Sequence, residues 1–330
     1  MHKLNVLVAQ YPNQEAVFRI IPSRVEAALA RAAPSMPPVE FAWCATDDPA
    51  FGERVAAADA MIGFRFPTEH IASPGSALKL IQVAAAGIEH LLPLDWLPRS
   101  IALATASGVH APKIREWATM VFLMLHSRMP HFVSAQRAHA WSKAYSSHIA
   151  GRSALIVGTG GIGGAIAAAA RSLRLRTTGV RRNVRPTRHF DTVIGLDALD
   201  GAVAEADFIV LAMPLTPSTR HIMNADRFKR MKPEAGFANF GRGGLVDQDA
   251  LRAALLAGTL SGAIIDVTDP EPLPSDSPLW DAPRLIITPH LSCDDPESYV
   301  PRTLDLFLDN IRRCMDGRPI RNRVVRSRAY

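Results

Sequence analysis

A glycine-rich turn at residues 158–163 constrains the fold of this chain more than any other stretch. It follows a short apolar run, residues 153–157, whose composition predicts a buried strand. Beyond the turn, apolar residues recur at helical spacing as far as residue 173. Gly158, Gly160 and Gly163 have the spacing G-x-G-x-x-G, which allows a tight reversal, a close backbone approach to a pyrophosphate, and close packing of helix on strand. This context predicts a dinucleotide phosphate site, although any tight strand-to-helix turn can use glycines.

The residues after the next strand bear on which dinucleotide is bound. A NAD-binding unit usually carries an acid about twenty residues after the turn, where it bonds the ribose 2′-hydroxyl. Here the strand at residues 175–180 is followed by Arg181 and Arg182, with no Asp or Glu. Because guanidinium groups pair with a 2′-phosphate, we expect NADP(H), with NAD(H) as the alternative. The competing interpretation is a solvated basic loop, since Arg185 and Arg188 continue the run.

Composition limits the classes of protein to consider. A chain of 330 residues with 48% hydrophobic content can form two domains with sizeable cores. Its three cysteines are widely spaced, so they predict neither a disulfide framework nor a metal site. The start of the chain lacks a signal-peptide pattern and no apolar run is long enough to span a bilayer, so a cytoplasmic protein without a membrane partner is expected. The net charge of +6 has no nucleic-acid-binding signature beside it, and an anionic cofactor accounts for part of it.

The order of segments predicts an α/β protein. Strand-like runs alternate with helical segments on both sides of the glycine turn, as in parallel sheets covered by helices. Residues 112–129 predict one long helix that Pro130 ends. That helix is apolar nearly all round, which favours burial between domains or subunits. Residues 131–150 are expected to be a linker, and a last helix is expected to begin at Asp295.

Polar side chains stand at the ends of three successive strands in the second half. Arg242 follows the strand that ends at residue 240, Asp266 ends the next strand with Glu271 just beyond it, and His290 follows the last. Since carboxyl ends of strands in an α/β sheet face one crevice, a cation, carboxylates and an imidazole would converge there. Taken singly, each has a structural alternative: a solvated arginine, a surface glutamate or a histidine that caps a carbonyl.

Five motifs follow one another along the chain. They are residues 158–163, Pro-Leu-Thr-Pro-Ser-Thr at 214–219, Asn-Phe-Gly-Arg-Gly-Gly at 239–244, residues 266–274, and Thr-Pro-His at 288–290. This series resembles the D-isomer-specific 2-hydroxyacid dehydrogenases. Residues 85–89 are similar to that family's substrate-carboxylate loop, and residues 107–116 to its crossing into the cofactor domain. The arginines after the second strand and the closing Arg-Ala-Tyr at 328–330 are most similar to the glyoxylate/hydroxypyruvate reductase branch.

The resemblance implies an architecture. Two doubly wound parallel-sheet α/β domains are expected, a Rossmann cofactor domain at residues 112–291 and a flavodoxin-like substrate domain. The substrate domain would be discontinuous, made of residues 1–111 and 292–330. The resemblance also implies a homodimer packed through the cofactor domains.

The resemblance further implies roles for individual residues. Arg242 would bind the carboxylate and carbonyl oxygen of a 2-keto acid, His290 would be the general acid of reduction and the base of the reverse reaction, and Glu271 would pair with His290. The substrate site would add Ala86 and Gly87. Contacts to the cofactor are expected from Gly158, Gly160, Gly161, Ile162, Gly163, Arg181, Arg182, Met213, Pro214, Leu215, Thr219, Phe240, Gly241 and Asp266, with Asp266 beside the nicotinamide.

The expected function is NADPH-dependent reduction of a small 2-keto acid, of the glyoxylate or hydroxypyruvate type, to the D-2-hydroxy acid. Alternatives are the same chemistry on a bulkier keto acid, on formate or on phosphite, or a non-catalytic dinucleotide-sensing protein. Ala85 and Thr268 stand where the family usually has Gly and often Phe, which leaves the substrate open. Arg65 and Trp141 are candidate pocket residues, with a surface arginine and a core tryptophan as the alternative.

Overall fold

The computed structural model describes residues 3–32, 36–72 and 76–326. Ala33 and the closing Arg-Ala-Tyr at 328–330 lie outside the described residues. Two compact units form, one within Met1–Val109 and Asp295–Tyr330 and the other within His110–Asp294. The fold class expected from the sequence is confirmed, since each unit contains a parallel sheet with helices.

The first unit contains a five-stranded parallel sheet. Its strands and first helices are β1 (Leu4–Gln10), α1 (Pro22–Ala32), β2 (Val39–Ala45), α2 (Phe51–Ala56), β3 (Ala60–Gly63), β4 (Leu80–Val83) and β5 (Ala102–Ala104). The strand order β2-β1-β3-β4-β5 is that of flavodoxin-like folds. Every residue of β3, β4 and β5 is buried, as expected for parallel strands covered on both faces.

The second unit contains a seven-stranded parallel sheet. Its elements are α3 (Ala111–His126), α4 (Met129–Arg137), β6 (Ser153–Val157), α5 (Gly161–Ser172), β7 (Arg176–Val180), β8 (Thr192–Ile194), α6 (Leu199–Glu205), β9 (Phe208–Leu211), α7 (Ala225–Arg230), β10 (Gly236–Asn239), α8 (Gln248–Ala257), β11 (Gly262–Ile265) and β12 (Leu285–Ile287). The strand order is β12-β11-β10-β9-β6-β7-β8, and all neighbours are parallel. Strands β7 and β8 extend the sheet on one side of β6, the strand that enters the glycine turn, and β9 to β12 extend it on the other side. In such sheets ligands bind outside the carboxyl ends of the strands, at the point from which the strand order runs both ways.

The last helix, α9 (Tyr299–Met315), belongs to the first unit. It buries one apolar face in a core shared with β1 and α1, as its periodicity predicts; the face comprises Val300, Leu304, Phe307, Leu308 and Ile311. The expected start at Asp295 is wrong. The Asp295 carboxylate accepts hydrogen bonds from the backbone N–H groups of Glu297 and Ser298, at 2.9 and 3.1 Å. This side-chain turn delays the helix to Tyr299.

The region after α3 also corrects an expectation. The helix ends at His126, and Arg128 adopts a left-handed conformation with φ of 60°. A new helix, α4, then begins at Met129 with Pro130 in its first turn, where the missing N–H of proline carries no cost. Pro130 therefore starts a helix, and only residues beyond Arg137 remain irregular.

The described residues contain neither a membrane-spanning helix nor a metal-binding cluster. No helix in them is long and apolar enough to cross a membrane. No group of three or more His, Cys, Asp or Glu side chains among them is arranged to hold a metal ion.

Candidate active site

The glycine turn has the geometry that its spacing predicts. Gly158 has φ of 111°, and a β-carbon on it would lie 2.3 Å from the carbonyl oxygen of Ala212. A β-carbon on Gly163 would lie 1.9 Å from the carbonyl oxygen of Gly158, so this glycine lets α5 pack on β6. A β-carbon on Gly160 would meet no described heavy atom within 4 Å. Gly160 therefore borders open space at the N-terminus of α5, where backbone N–H groups and the helix dipole favour an anion. Gly161 is exposed and Ile162 half-buried in the first turn of that helix.

Close backbone contacts join the loops after neighbouring strands. A β-carbon on Gly241 would lie 2.9 Å from the carbonyl oxygen of Met213, which follows β9. A β-carbon on Gly243 would lie 1.9 Å from the carbonyl oxygen of Thr268, which follows β11. The glycines that flank Arg242 thus allow three loops to meet at one edge of the sheet. The alternative of a merely solvated arginine between glycines does not explain these contacts.

Arg242 is held at this edge by its own loop. The Asn239 side chain donates a hydrogen bond to the Arg242 carbonyl oxygen at 2.9 Å and accepts one from the Gly241 N–H at 3.0 Å. The Arg242 guanidinium donates to the Gly241 carbonyl oxygen at 2.8 Å. Phe240 is buried beneath them. Its side chain lies in the same apolar cluster as α3 and β6.

Asp266 is buried and holds the loop that carries His290. Its carboxylate accepts hydrogen bonds from the Thr288 hydroxyl at 2.6 Å, the Leu291 N–H at 3.0 Å and the Ser292 N–H at 2.9 Å. Its carbonyl oxygen accepts a fourth bond from the His290 N–H at 2.8 Å. The sequence predicts Asp266 beside a nicotinamide. In the structure, both of its carboxylate oxygens organise the backbone around His290, which has φ of 54°.

Glu271 and His290 form an ion pair. His290 Nδ1 lies 2.9 Å from Glu271 Oε2, and Glu271 Oε1 accepts a bond from the Thr268 N–H at 3.0 Å. The hydrogen bond that His290 donates to Glu271 raises the pKa of His290, and the negative charges of Glu271 and Asp266 add to this. Burial and the charge of Arg242 oppose it. Burial alone would raise the pKa of Glu271, but bonding to His290 and Thr268 lowers it. The pair therefore favours an ionised carboxylate beside a protonated imidazole.

A second imidazole, which the sequence analysis missed, lies behind this pair. His110 is buried, and its Nδ1 lies 3.3 Å from the carbonyl oxygen of Cys293. Burial lowers the pKa of His110, and the positive charges of Arg242 and His290 lower it further. Burial also raises the pKa of the Cys293 thiol to about 12, so this cysteine stays protonated near neutral pH. Nothing local in the sequence marks His110, because its partner lies 183 residues further along the chain.

The remaining predicted cofactor residues occupy the same edge of the second unit's sheet. Arg181 follows β7 and is half-buried, whereas Arg182 is exposed. Met213, Pro214 and Leu215 form the loop after β9. The Thr219 hydroxyl lies within that loop, bonded to the Pro214 carbonyl oxygen at 3.0 Å and to the Thr216 N–H at 2.7 Å. Thr219 therefore shapes the loop from inside.

Three other candidates belong to the first unit, and Trp141 belongs to the segment after α4. Ala86 and Gly87 are half-buried in the first unit, beyond the carboxyl end of β4. Arg65 is exposed in the same unit, with its guanidinium carbon 5.9 Å from the centre of the Tyr11 ring. Trp141 is 95% exposed in the irregular segment after α4, so it is not a core residue.

These observations fit a bound dinucleotide. Gly160 leaves room for a pyrophosphate at the start of α5. At the next strand end, the buried Nε of Arg181 has no hydrogen-bond partner among the described residues. The sheet order, the glycine turn and the imidazole–carboxylate pair define a class of protein, the nicotinamide-dependent oxidoreductases with a Rossmann domain.

Comparison with known proteins gives the family. Residues 119–292, more than half of the chain, match the family model described as "D-isomer specific 2-hydroxyacid dehydrogenase, NAD binding domain". The chain therefore belongs to the D-isomer-specific 2-hydroxyacid dehydrogenases, which are NAD(P)-dependent oxidoreductases. This confirms the family and the enzyme class that the five sequence motifs indicate.

Relatives are found in the expected branch. The human glyoxylate reductase/hydroxypyruvate reductase is 31% identical over 257 residues, which cover 74% of this chain and 76% of that protein. The structure of a D-isomer-specific 2-hydroxyacid dehydrogenase from Xanthobacter autotrophicus, in complex with NADPH and MES, matches with a TM-score of 0.81 at 29% identity, covering 99% of this chain and 100% of that one. An NADPH-dependent glyoxylate/hydroxypyruvate reductase from Sinorhizobium meliloti, in complex with NADP and sulfate, matches with a TM-score of 0.79 at 27% identity, over 99% and 100% of the two chains.

The glycine turn provides a test with a matched control. Gly163→Ala should lower the free energy of unfolding by about 3 kcal/mol or more, because its β-carbon would overlap the Gly158 carbonyl oxygen. Gly160→Ala should leave the free energy of unfolding nearly unchanged but weaken dinucleotide binding by about tenfold or more, because its methyl group enters the space for the pyrophosphate. Denaturant titration and calorimetric binding measure the two effects. Unchanged dinucleotide affinity in Gly160→Ala would contradict the assignment of the turn.

Proposed function

We propose that this enzyme uses NADPH to reduce a small 2-keto acid, of the glyoxylate or hydroxypyruvate type, to the D-2-hydroxy acid, with His290 as the general acid. The ion pair between His290 and Glu271, at 2.9 Å, is the observation that carries the proposal. A protein that only senses a dinucleotide needs no such proton donor. The names of the human and Sinorhizobium relatives support the substrate class.

The chemistry divides between cofactor and protein. A bound nicotinamide supplies the hydride. Arg242 would bind the carboxylate and the carbonyl oxygen of the keto acid, because a guanidinium presents N–H donors in a planar fork. Its positive charge would draw electron density toward the carbonyl oxygen.

The proton comes from one particular nitrogen. Since Glu271 engages Nδ1 of His290, the proton that moves to the substrate oxygen is the one on Nε2. The carbonyl oxygen gains negative charge as the hydride arrives, and the Nε2 proton neutralises it. The neutral imidazole that remains keeps its Nδ1–H bond to Glu271, so its orientation is unchanged. In the reverse direction the same nitrogen accepts the hydroxyl proton.

His290 and Glu271 give a pH prediction. Because Glu271 raises the pKa of His290, the acid form persists above the ordinary value near 6.5, and kcat/KM for reduction should fall as pH rises through the shifted value. Glu271→Gln should move this fall to lower pH, and His290→Ala should lower kcat at least about 100-fold. Steady-state pH profiles measure both. Glu234→Gln, at an exposed position, is the control and should keep the wild-type profile. A profile unmoved by Glu271→Gln, or a loss below about tenfold in His290→Ala, would reject the role of His290.

A further prediction concerns substrate and cofactor. A panel of glyoxylate, hydroxypyruvate, pyruvate and phenylpyruvate, assayed with NADPH and with NADH, should give the highest kcat/KM for the first two with NADPH. Arg181→Ala should reduce the NADPH/NADH ratio of kcat/KM by about tenfold or more, since a guanidinium–phosphate pair is lost. Arg188→Ala removes the same charge from an exposed position nearby and should change the ratio far less. Equal kcat/KM values with the two cofactors in the wild type would contradict the NADPH preference, and nucleotide binding without turnover would favour a sensor.

We also propose that two copies of the chain pair through the second unit. The sequence predicts that α3 is apolar nearly all round. In the structure, Met120 and Leu123 are 40% and 42% exposed, and they lie three residues apart on one helix face. Trp141 and Tyr145, in the segment after α4, are 95% and 82% exposed. Large apolar side chains exposed this far favour an interface, and the family resemblance implies a homodimer through this domain.

Leu123→Lys tests the pairing. It should convert a particle of twice the 35.8-kDa chain mass into a monomer, because a charge would be buried in the interface. Leu256→Lys makes the same change at a leucine that is 56% exposed on α8 and should leave the mass unchanged. Light scattering after gel filtration measures both. A wild-type monomer would contradict the pairing.

A further inference from the structure

The loop between β7 and β8, residues 181–191, has an order that the proposed chemistry does not use. At its base, the Asp191 carboxylate accepts a hydrogen bond from the Thr177 N–H at 2.8 Å and is also paired with Arg171. The Thr177 hydroxyl donates to the His189 carbonyl oxygen at 2.9 Å. These contacts fix the end of the loop where it enters β8, beside the start of β7.

The loop lies beside the glycine turn. A β-carbon on Gly179 of β7 would lie 2.6 Å from Cγ2 of Thr159, which is in the turn, and 2.7 Å from Cδ1 of Phe190, which is in the loop. The absence of a side chain at Gly179 therefore lets the loop pack close to the turn that borders the pyrophosphate space.

Within this loop, a threonine hydroxyl holds Arg181. Arg181 Nη1 donates to the Thr187 Oγ1 at 3.1 Å, and the Thr187 hydroxyl donates its one hydrogen to the Arg185 carbonyl oxygen at 3.1 Å. Since that hydrogen is used, a lone pair of the hydroxyl faces the guanidinium. The Arg181 backbone is fixed too, because its N–H bonds to the Ile194 carbonyl oxygen at 3.1 Å.

This arrangement leaves one donor of the Arg181 guanidinium, the buried Nε, without a hydrogen-bond partner among the described residues. Nε and Nη2 form the side-on fork of a guanidinium, the pair of donors that grips two oxygens of one phosphate. A buried charged donor without a hydrogen-bond partner is rare in proteins, and a binding site for a ligand is one explanation of such a donor.

We propose that Thr187 is a positioning residue for cofactor selection: its hydroxyl fixes Nη1 of Arg181 and thereby holds the guanidinium in place for the 2′-phosphate of NADP(H). This deepens the proposed function, since it rests on NADPH being the cofactor. Thr187 acts through Arg181 and touches neither the substrate nor the phosphate. The competing role is purely structural, in which Thr187 only stabilises the loop by bonding to Arg185.

The two roles differ in a binding cycle. Calorimetry would measure the dissociation constants of 2′,5′-ADP and 5′-AMP for the wild type, Thr187→Val, Thr187→Ser, Arg181→Ala and the Arg181→Ala/Thr187→Val double variant. Thr187→Val should weaken 2′,5′-ADP about fivefold or more and leave 5′-AMP unchanged, while Thr187→Ser, which keeps the hydroxyl, should restore wild-type affinity. Added to Arg181→Ala, Thr187→Val should have no further effect, because the residue through which it acts is gone.

Several results would overturn the inference. These are equal weakening of both nucleotides by Thr187→Val, unchanged affinity for 2′,5′-ADP, or the same loss in the Arg181→Ala background as in the wild type. If Thr187→Val fails to fold, as judged by circular dichroism, Thr187→Ala takes its place in the same cycle. The proposed cofactor preference fails separately, when Arg181→Ala itself leaves the affinity for 2′,5′-ADP unchanged.

Discussion

A single buried carboxylate, that of Asp266, fixes the arrangement on which the proposed chemistry depends. It accepts hydrogen bonds from the Thr288 hydroxyl and from two backbone N–H groups beyond His290. These bonds hold a loop in which His290 has a left-handed backbone, a conformation costly for a residue other than glycine. Without such a partner, the N–H group of buried Ser292 would be left unpaired, at a cost of about 1–3 kcal/mol. The position of the imidazole is therefore set by a neighbouring strand, β11, and not by its own.

The same edge of the sheet gives two imidazoles opposite electrostatic settings. His290 faces Glu271, whose hydrogen bond raises its pKa. His110 is buried against a backbone carbonyl, and burial with the charge of Arg242 lowers its pKa. Both nitrogens of a protonated imidazole are donors, whereas a neutral ring keeps one acceptor. We therefore interpret His290 as the proton donor and His110 as a neutral ring that contacts the loop after His290 at the Cys293 carbonyl oxygen. Burial and one carboxylate produce this difference.

Much of the site could be predicted because its signals are local. A strand, a glycine turn and a helix are contiguous in sequence. The rule that parallel strands share a carboxyl edge predicts from the sequence alone that Arg242, Glu271 and His290 lie together. What could not be predicted depends on contacts distant in sequence. His110 meets Cys293 across the unit, and Asp266 turns its oxygens toward a loop 22 to 26 residues away. The errors in helix boundaries have another cause. Pro130 can end one helix or start the next, and Asp295 can cap a helix or a turn, so local sequence alone does not choose between them.

Glu271 raises the pKa of His290, whereas burial lowers the pKa of His110 at the same edge of the sheet. Nitrogen NMR of the protein labelled with ¹⁵N at histidine, with His290→Gln and His110→Gln variants to assign the two rings, measures this directly. The account predicts that His290 titrates above the ordinary value of about 6.5 and His110 below it. Titration of His290 below that value, or of both rings on the same side of it, would contradict the account.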